Sequence, residues 1–203
     1  MRGPVLAVVL GVRGPGPLDP TCAECGAGVT WDSRDHVGLE CARCGPAGVR
    51  WRYRLWVTVA VLGPAGEGPT GHGAGGGGGG GGEVTPRPLA FITVFGPCLD
   101  EFMGGPAPTF RRAVMSVWRG EGDRGEGAGG RGPMGEPWAL LCCATEQFFV
   151  GRTFIFGLQP PSRPHRAPHC TSFVASHLWC TQPLPHGLTV LSIVKRLAQV
   201  HFH

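Results

Sequence analysis

The sequence predicts an all-β fold with short helices, built as a small antiparallel barrel. Three observations carry that expectation. Residues 49–62 alternate with period two: Val49, Trp51, Tyr53, Leu55, Val57, Val59 and Val61 are apolar, while Arg50, Arg52, Arg54, Trp56 and Thr58 lie between them. Such alternation is the mark of a strand with one buried and one open face. Residues 5–12, 89–95 and 152–158 are further short apolar runs rich in Val, Ile and Phe. Between the runs lie turns and Gly/Pro-rich insertions, the spacing expected of a small barrel.

Taken in order, residues 5–12 read as a buried strand bounded by Pro4 and by Gly14-Pro15-Gly16. The run is short for a secretory leader and lacks a small-x-small cleavage site. The alternating strand at 49–62 ends in residues 63–88, which contain eight consecutive glycines at 75–82. A run of that kind cannot offset its conformational entropy by burial and is expected to be a disordered insertion. Residues 89–95 form the next strand. Residues 98–103 place Leu99, Phe102 and Met103 at helical spacing before Gly104-Gly105, and residues 110–118 suggest a second short helix. Residues 119–137 are a second Gly-rich insertion. Residues 138–149 are compatible with a helix, 152–158 with a strand, and 159–170 are Pro-rich and irregular. Residues 188–197 begin strand-like and turn helical after Ser192. The whole of 1–203 is expected to form one domain.

Composition narrows the function. Of 203 residues, 36 are Gly and 20 are Pro, which marks low-complexity insertions within an otherwise apolar chain. The formal net charge is +4. Four thiolates around one Zn²⁺ carry a net −2 and would halve it, so only local clustering of charge can recruit a polyanion. No run approaches the ~20 apolar residues of a membrane span. No GxSxG, Walker A or HExxH pattern is present, and the glycine run lacks the Lys-Ser/Thr of a phosphate loop. The chain is therefore read as a non-enzyme without a small-molecule substrate or a membrane partner; its expected location is the nucleus and cytoplasm.

Nine cysteines, an odd number, argue against a secreted disulfide scaffold. Four of them form a pattern. Cys22-Ala-Glu-Cys25 and Cys41-Ala-Arg-Cys44 are separated by 15 residues, inside the window that reads as a zinc site. Two cysteines three apart on a tight turn aim both thiolates at one tetrahedral centre, and Gly26, Gly28 and Gly45 suit the open backbone this needs. Four sulfurs leave no open position, so the Zn²⁺ is structural, and residues 20–46 form a zinc ribbon. His165, His169, Cys170, His177 and Cys180 match no standard spacing and read as incidental members of a Pro-rich loop. Cys98, Cys142 and Cys143 read as ordinary buried thiols.

A cysteine ribbon leading into Trp51-Arg52-Tyr53-Arg54-Leu55 resembles the C-terminal OB-fold of the large subunit of replication protein A. Two further blocks bring the chain closer to another family. They are Phe91-Ile92-Thr93-Val94-Phe95-Gly96-Pro97-Cys98-Leu99-Asp100-Glu101-Phe102 and Phe149-Val150-Gly151-Arg152-Thr153-Phe154-Ile155-Phe156-Gly157. With Tyr53-Arg54-Leu55, they resemble the N-terminal domain of the noxin family of DNA damage-induced apoptosis suppressors, a resemblance that takes Leu188-Thr189-Val190 as the closing strand. The resemblance implies an OB-fold barrel of replication-factor-A C-terminal type, zinc on the four cysteines, and a role in DNA-damage response and suppression of apoptosis. The glycine insertion at 63–88 departs from that family. Its long tail is not part of this chain, which reads as a shortened relative or an incomplete gene product.

OB-folds bind single strands with a basic groove and aromatic platforms. Arg50, Arg52, Arg54 and Trp56, on the open side of the alternating strand, are the expected single-stranded DNA face: guanidinium for phosphate, indole for a base. The competing reading of that face is a solvated surface with Trp56 packed against a loop. Phe91, Phe95, Phe154 and Phe156 are candidates by position, with core packing the commoner fate of each. The alternative function is a protein–protein interaction module with partners in the DNA-damage response and no nucleic-acid affinity.

Overall fold

The alternation at 49–62 becomes one long strand, β5 (Val49–Pro64), in the computed structural model of the chain. The structure describes residues 3–14, 16–29, 40–46, 48–64, 89–122, 136–159 and 172–201. Along β5, Tyr53, Leu55, Val57 and Val59 are buried, while Arg50 and Arg52 are exposed. The strand is long enough to serve three partners. On one edge it pairs first with β2 (Leu18–Cys22) and then with β1 (Gly3–Arg13); on the other it pairs with β6 (Leu89–Phe95). β1 and β2 thus follow the same edge of β5 as one bent path, and the Arg54 backbone N–H donates to the Pro17 carbonyl at the bend (2.9 Å).

Two later strands, β7 (Thr153–Gln159) and β8 (Ser172–Cys180), complete a ring. β1 pairs with β5, β5 with β6, β6 with β8, β8 with β7, and β7 with β1. Only β6–β8 is parallel within it. Five strands in this order, with a parallel pair between the third and fifth, form an OB-fold. Register shifts after Leu6 and Val9 in β1, and after Gly157 in β7, make the ring irregular.

Helices fill the connection between β6 and β7. A 3-10 turn (Gly96–Leu99) leads into α1 (Asp100–Met103), then α2 (Ala107–Gly122) and α3 (Glu136–Phe149), and α4 (Val190–His201) packs against α2 and α3. The core joins barrel to helices through aromatic rings: Phe154 lies 5.8 Å from Phe102 and 5.5 Å from Phe149. The buried Tyr53 hydroxyl donates to the Gly105 carbonyl at 2.6 Å, tying β5 to the end of α1. Burial, reinforced by Asp100, raises the phenol above its usual range. Tyr53→Phe leaves that carbonyl unpaired and is expected to cost about 1–3 kcal/mol in denaturant unfolding. An unchanged midpoint would mean that solvent satisfies Gly105.

Several expectations need correction. The closing strand is not Leu188-Thr189-Val190 but β8, which holds the His177 and Cys180 expected in a loop. Thr189 instead caps α4: the Ser192 N–H donates to its Oγ1 at 3.2 Å, and Val190, Ile193, Val194 and Ala198 supply the buried stripe. β1 is not buried on both sides, since Leu10 is half exposed and only Val5, Ala7 and Val9 are enclosed. Gly63 and Pro64 belong to β5, and residues 119–122 and 136–137 are helical. The rest of the two Gly-rich insertions, and most of the Pro-rich segment 159–170, lie outside the described residues. Cys143 is exposed rather than buried; burial does raise the thiols of Cys98 and Cys142.

Candidate metal centre and nucleic-acid interface

Two hairpin turns bring the four cysteines together. In the first, the Gly26 N–H donates to the Cys22 carbonyl (2.9 Å) and the Cys22 N–H to the Ala27 carbonyl (2.8 Å). The second is closed by the short ladder of β3 (Glu40–Cys41) and β4 (Gly45–Pro46). Each CxxC is followed by a glycine at positive φ, 69° at Gly26 and 72° at Gly45, a conformation that a Cβ would oppose. The four Sγ atoms lie within 4.8 Å of one another. A tetrahedral tetrathiolate with Zn–S bonds of ~2.3 Å sets its sulfurs roughly 3.8 Å apart, so the donor set fits.

The chemistry of the donors points the same way. Backbone N–H groups of Arg43 and Cys44 lower the Cys41 thiol to about 6, and hydrogen bonding with Cys25 pushes Cys44 up to about 12. Sulfurs so close cannot all ionise unless a cation sits among them. Cys22 and Cys41 are buried with Val29 in a small cluster of their own, while Cys25 and Cys44 are exposed. The four cysteines can hold a metal ion. Among the described residues they form the one such group, and His177 is instead stacked on Trp179 at 5.4 Å.

The ribbon is fused to the barrel through β2. Cys22 pairs with Val49, Thr21 with Arg50, Pro20 with Trp51, and Asp19 with Arg52. The outer faces of β5 and β6 meet beside it. Arg54 stands opposite Phe95, and Trp56 opposite Thr93. The side chains interleave: the Arg54 guanidinium is 4.3 Å from the centre of the Trp56 ring and 5.6 Å from that of Phe95, while Arg52 lies 5.7 Å from Phe95 and Arg13 lies 4.7 Å from Phe91. Guanidinium groups gain from such contacts and are held flat by them.

The four residues read from β5 therefore share one outer face, but not as four independent groups. Arg50 is exposed at the ribbon end, where its carbonyl accepts from Thr21 Oγ1 (3.2 Å). Arg52 Nε donates to Asp19 Oδ2 at 2.8 Å, and Arg54 Nη1 lies 3.8 Å from Asp19 Oδ1. Arg54 Nε is buried and makes no hydrogen bond among the described residues. Trp56 is half-buried, with Arg54 on its ring, and the backbone of Gly14 lies so close that a Cβ there would collide with the indole. The loop-packing reading of Trp56 thus holds for one edge of the ring.

Two residues of this surface, Asp19 and Arg13, were missed. Asp19 escaped because a single Asp beside a cysteine pair carries no motif, and its role depends on the β2–β5 register. Of the four phenylalanines that are candidates by position, Phe91 and Phe95 are half-buried on the outer face, while Phe154 and Phe156 are enclosed. Their period-two positions in residues 89–95, out of phase with buried Ala90, Ile92 and Val94, held the signal.

No family model matches the chain. Two solved structures, yeast RPA bound to ssDNA and a replication protein A heterotrimer bound to ssDNA, each overlay 98% of this chain at 12% identity and a TM-score of 0.44. They are covered to 86% and 36% of their own chains. The sequence resemblance is longer than the blocks that first suggested it. Over 210 residues and 95% of its length, this chain is 26% identical to the DNA damage-induced apoptosis suppressor protein of Mus musculus, and it spans about a fifth of that protein.

Proposed function

We propose that this chain is a zinc-stabilised OB-fold module that binds single-stranded DNA and serves a DNA-damage response that suppresses apoptosis, in nucleus and cytoplasm. The observation that carries the binding reading is the ladder of arginines and aromatic rings across β5 and β6. That pair of strands is where OB-folds take oligonucleotides, combining backbone charge with stacking. Arg50 and Arg54 supply charge; Phe95 and the open part of Trp56 supply ring surface. The cellular role is drawn from the name of the mouse relative.

The test is a titration of zinc-loaded protein with a single-stranded oligonucleotide at two salt concentrations. Affinity should fall as salt rises, because each neutralised phosphate releases condensed counterion. Arg50→Ala should weaken binding evenly across sequences and reduce the salt slope by roughly one contact. Trp56→Ala should lower affinity by ~1–3 kcal/mol with little change of slope. Absence of binding at low salt would reject the reading in favour of a protein-interaction module. Leu10 and Trp179, each half exposed on β1 and β8, favour that second reading.

A further inference from the structure

Asp19 is an unexpected residue on a surface meant for a polyanion. It stands directly opposite Arg52 in the β2–β5 ladder. Its side chain is 19% exposed against 44% for Arg52, so the carboxylate lies beneath and the guanidinium outside. One oxygen accepts from Arg52 Nε; the other faces Arg54 Nη1. Phe95 lies beside both arginines.

We infer that the Asp19–Arg52 pair is a base reader, selecting a nucleobase edge that carries two adjacent hydrogen-bond acceptors. The inference rests on the single-strand reading above and deepens it. Three physical consequences of the pairing lead there. The carboxylate occupies Nε and leaves the two terminal nitrogens of Arg52 as an outward fork of parallel N–H donors. It restrains a long side chain that would otherwise lose rotamer freedom on binding. It also opposes a phosphate at the same fork, since a second anion would sit close to the first, while a neutral base edge suffers no such repulsion.

Few base edges match two parallel donors. Guanine offers O6 with N7, the pairing that arginine takes most often. In a single strand, where Watson–Crick edges are also open, cytosine offers O2 with N3. Adenine places an amino donor beside each of its ring acceptors on those edges, and thymine separates its two carbonyls by an N–H. The fork therefore accepts guanine or cytosine and rejects adenine and thymine, with Phe95 as the adjacent surface on which the selected base lies.

The test uses the full zinc-loaded chain and thymidine oligonucleotides carrying a central guanine, cytosine, adenine or 7-deazaguanine, compared by fluorescence anisotropy. A guanine or cytosine insert should tighten binding by about five-fold or more over the all-thymidine strand, the lower end of what one bidentate contact discriminates. Adenine should give no gain. Loss of the gain with 7-deazaguanine assigns the guanine N7 edge; a gain confined to cytosine assigns the O2/N3 edge. Asp19→Asn removes the charge but keeps an acceptor for Nε. It should raise affinity for all-thymidine strands, steepen their salt dependence and shrink the discrimination, with zinc content and melting temperature as controls for folding. Equal affinity for all inserts, alongside salt-dependent binding, would overturn the base-reading inference and leave the single-strand reading standing. So would an Asp19→Asn variant that keeps full discrimination. No binding to any strand would remove both.

Discussion

Replacing Cys41 with Ser is expected to have the largest effect of any single substitution outside the barrel core. It removes one of four cysteine sulfurs that lie within 4.8 Å of one another and can hold a metal ion. In small metallo-domains the binding energy of a structural zinc is folding energy, of the order of 10–16 kcal/mol in zinc-finger peptides. Among the described residues the ribbon has little else to hold it: its own apolar cluster consists of Cys22, Val29 and Cys41 with Ala27 packed against it, so two of the four members belong to the cysteine group. The barrel core is a separate, far larger cluster. Cys41→Ser should therefore abolish metal binding and unfold the ribbon, while most of the barrel keeps its structure. Damage should spread along β2, because Cys22 pairs with Val49 and the Ala23 N–H donates to the Gly48 carbonyl (2.7 Å). The expected readout is loss of stoichiometric zinc by elemental analysis, faster proteolysis between residues 20 and 46, and weaker single-strand binding as Arg50 and Arg52 lose the pairing with β2 that orders them. Purified wild-type protein that carries no zinc and resists proteolysis there would refute this account.

The second large effect separates the two kinds of phenylalanine. Phe154 is fully enclosed among Phe102, Phe149 and Phe156, with ring centres 5.5–6.1 Å away. Phe154→Ala leaves a cavity between barrel and helices and is expected to cost about 3–5 kcal/mol of stability. Phe95 is half-buried on the outer face beside Arg52 and Arg54. Phe95→Ala should barely move the unfolding midpoint, yet weaken single-strand binding by ~1–3 kcal/mol, the range for losing one stacked base. Chemical unfolding and anisotropy titrations on both variants check this. If Phe95→Ala is the strongly destabilising one, the face assignment of β6 is inverted.

The period-two pattern placed β5 and its two faces, because an alternating strand has only one way to bury its apolar side. The same phase argument, applied to residues 89–95, would have put Phe91 and Phe95 outside; a general preference for burying phenylalanine had overridden it. β8 was missed because Ser172–Cys180 mixes Ser, Ala, His and Trp with apolar residues. Only Ala175 and Leu178 of its described side chains are buried, and a register shift breaks the alternation between them. Leu188-Thr189-Val190 looked strand-like from its β-branched residues, but Thr189 and Ser192 exchange capping hydrogen bonds that start a helix.

What the sequence by itself determined are features in which all participants are near in the chain. They are the two CxxC turns with their glycines, the alternating strand, and the helix spacing of Leu99, Phe102 and Met103. Such features follow from local geometry, which the next few residues decide. The tertiary structure alone decided which distant groups share a surface. The β2–β5 register sets Asp19 beneath Arg52, 33 residues away. Pairing of β5 with β6 across the glycine insertion sets Phe95 opposite Arg54. Closure of the ring by β8 rather than by residues 188–190 was decided by burial over the whole barrel. Charge and ring contacts act through space, so the chemistry of the arginine face existed only once the strands had paired.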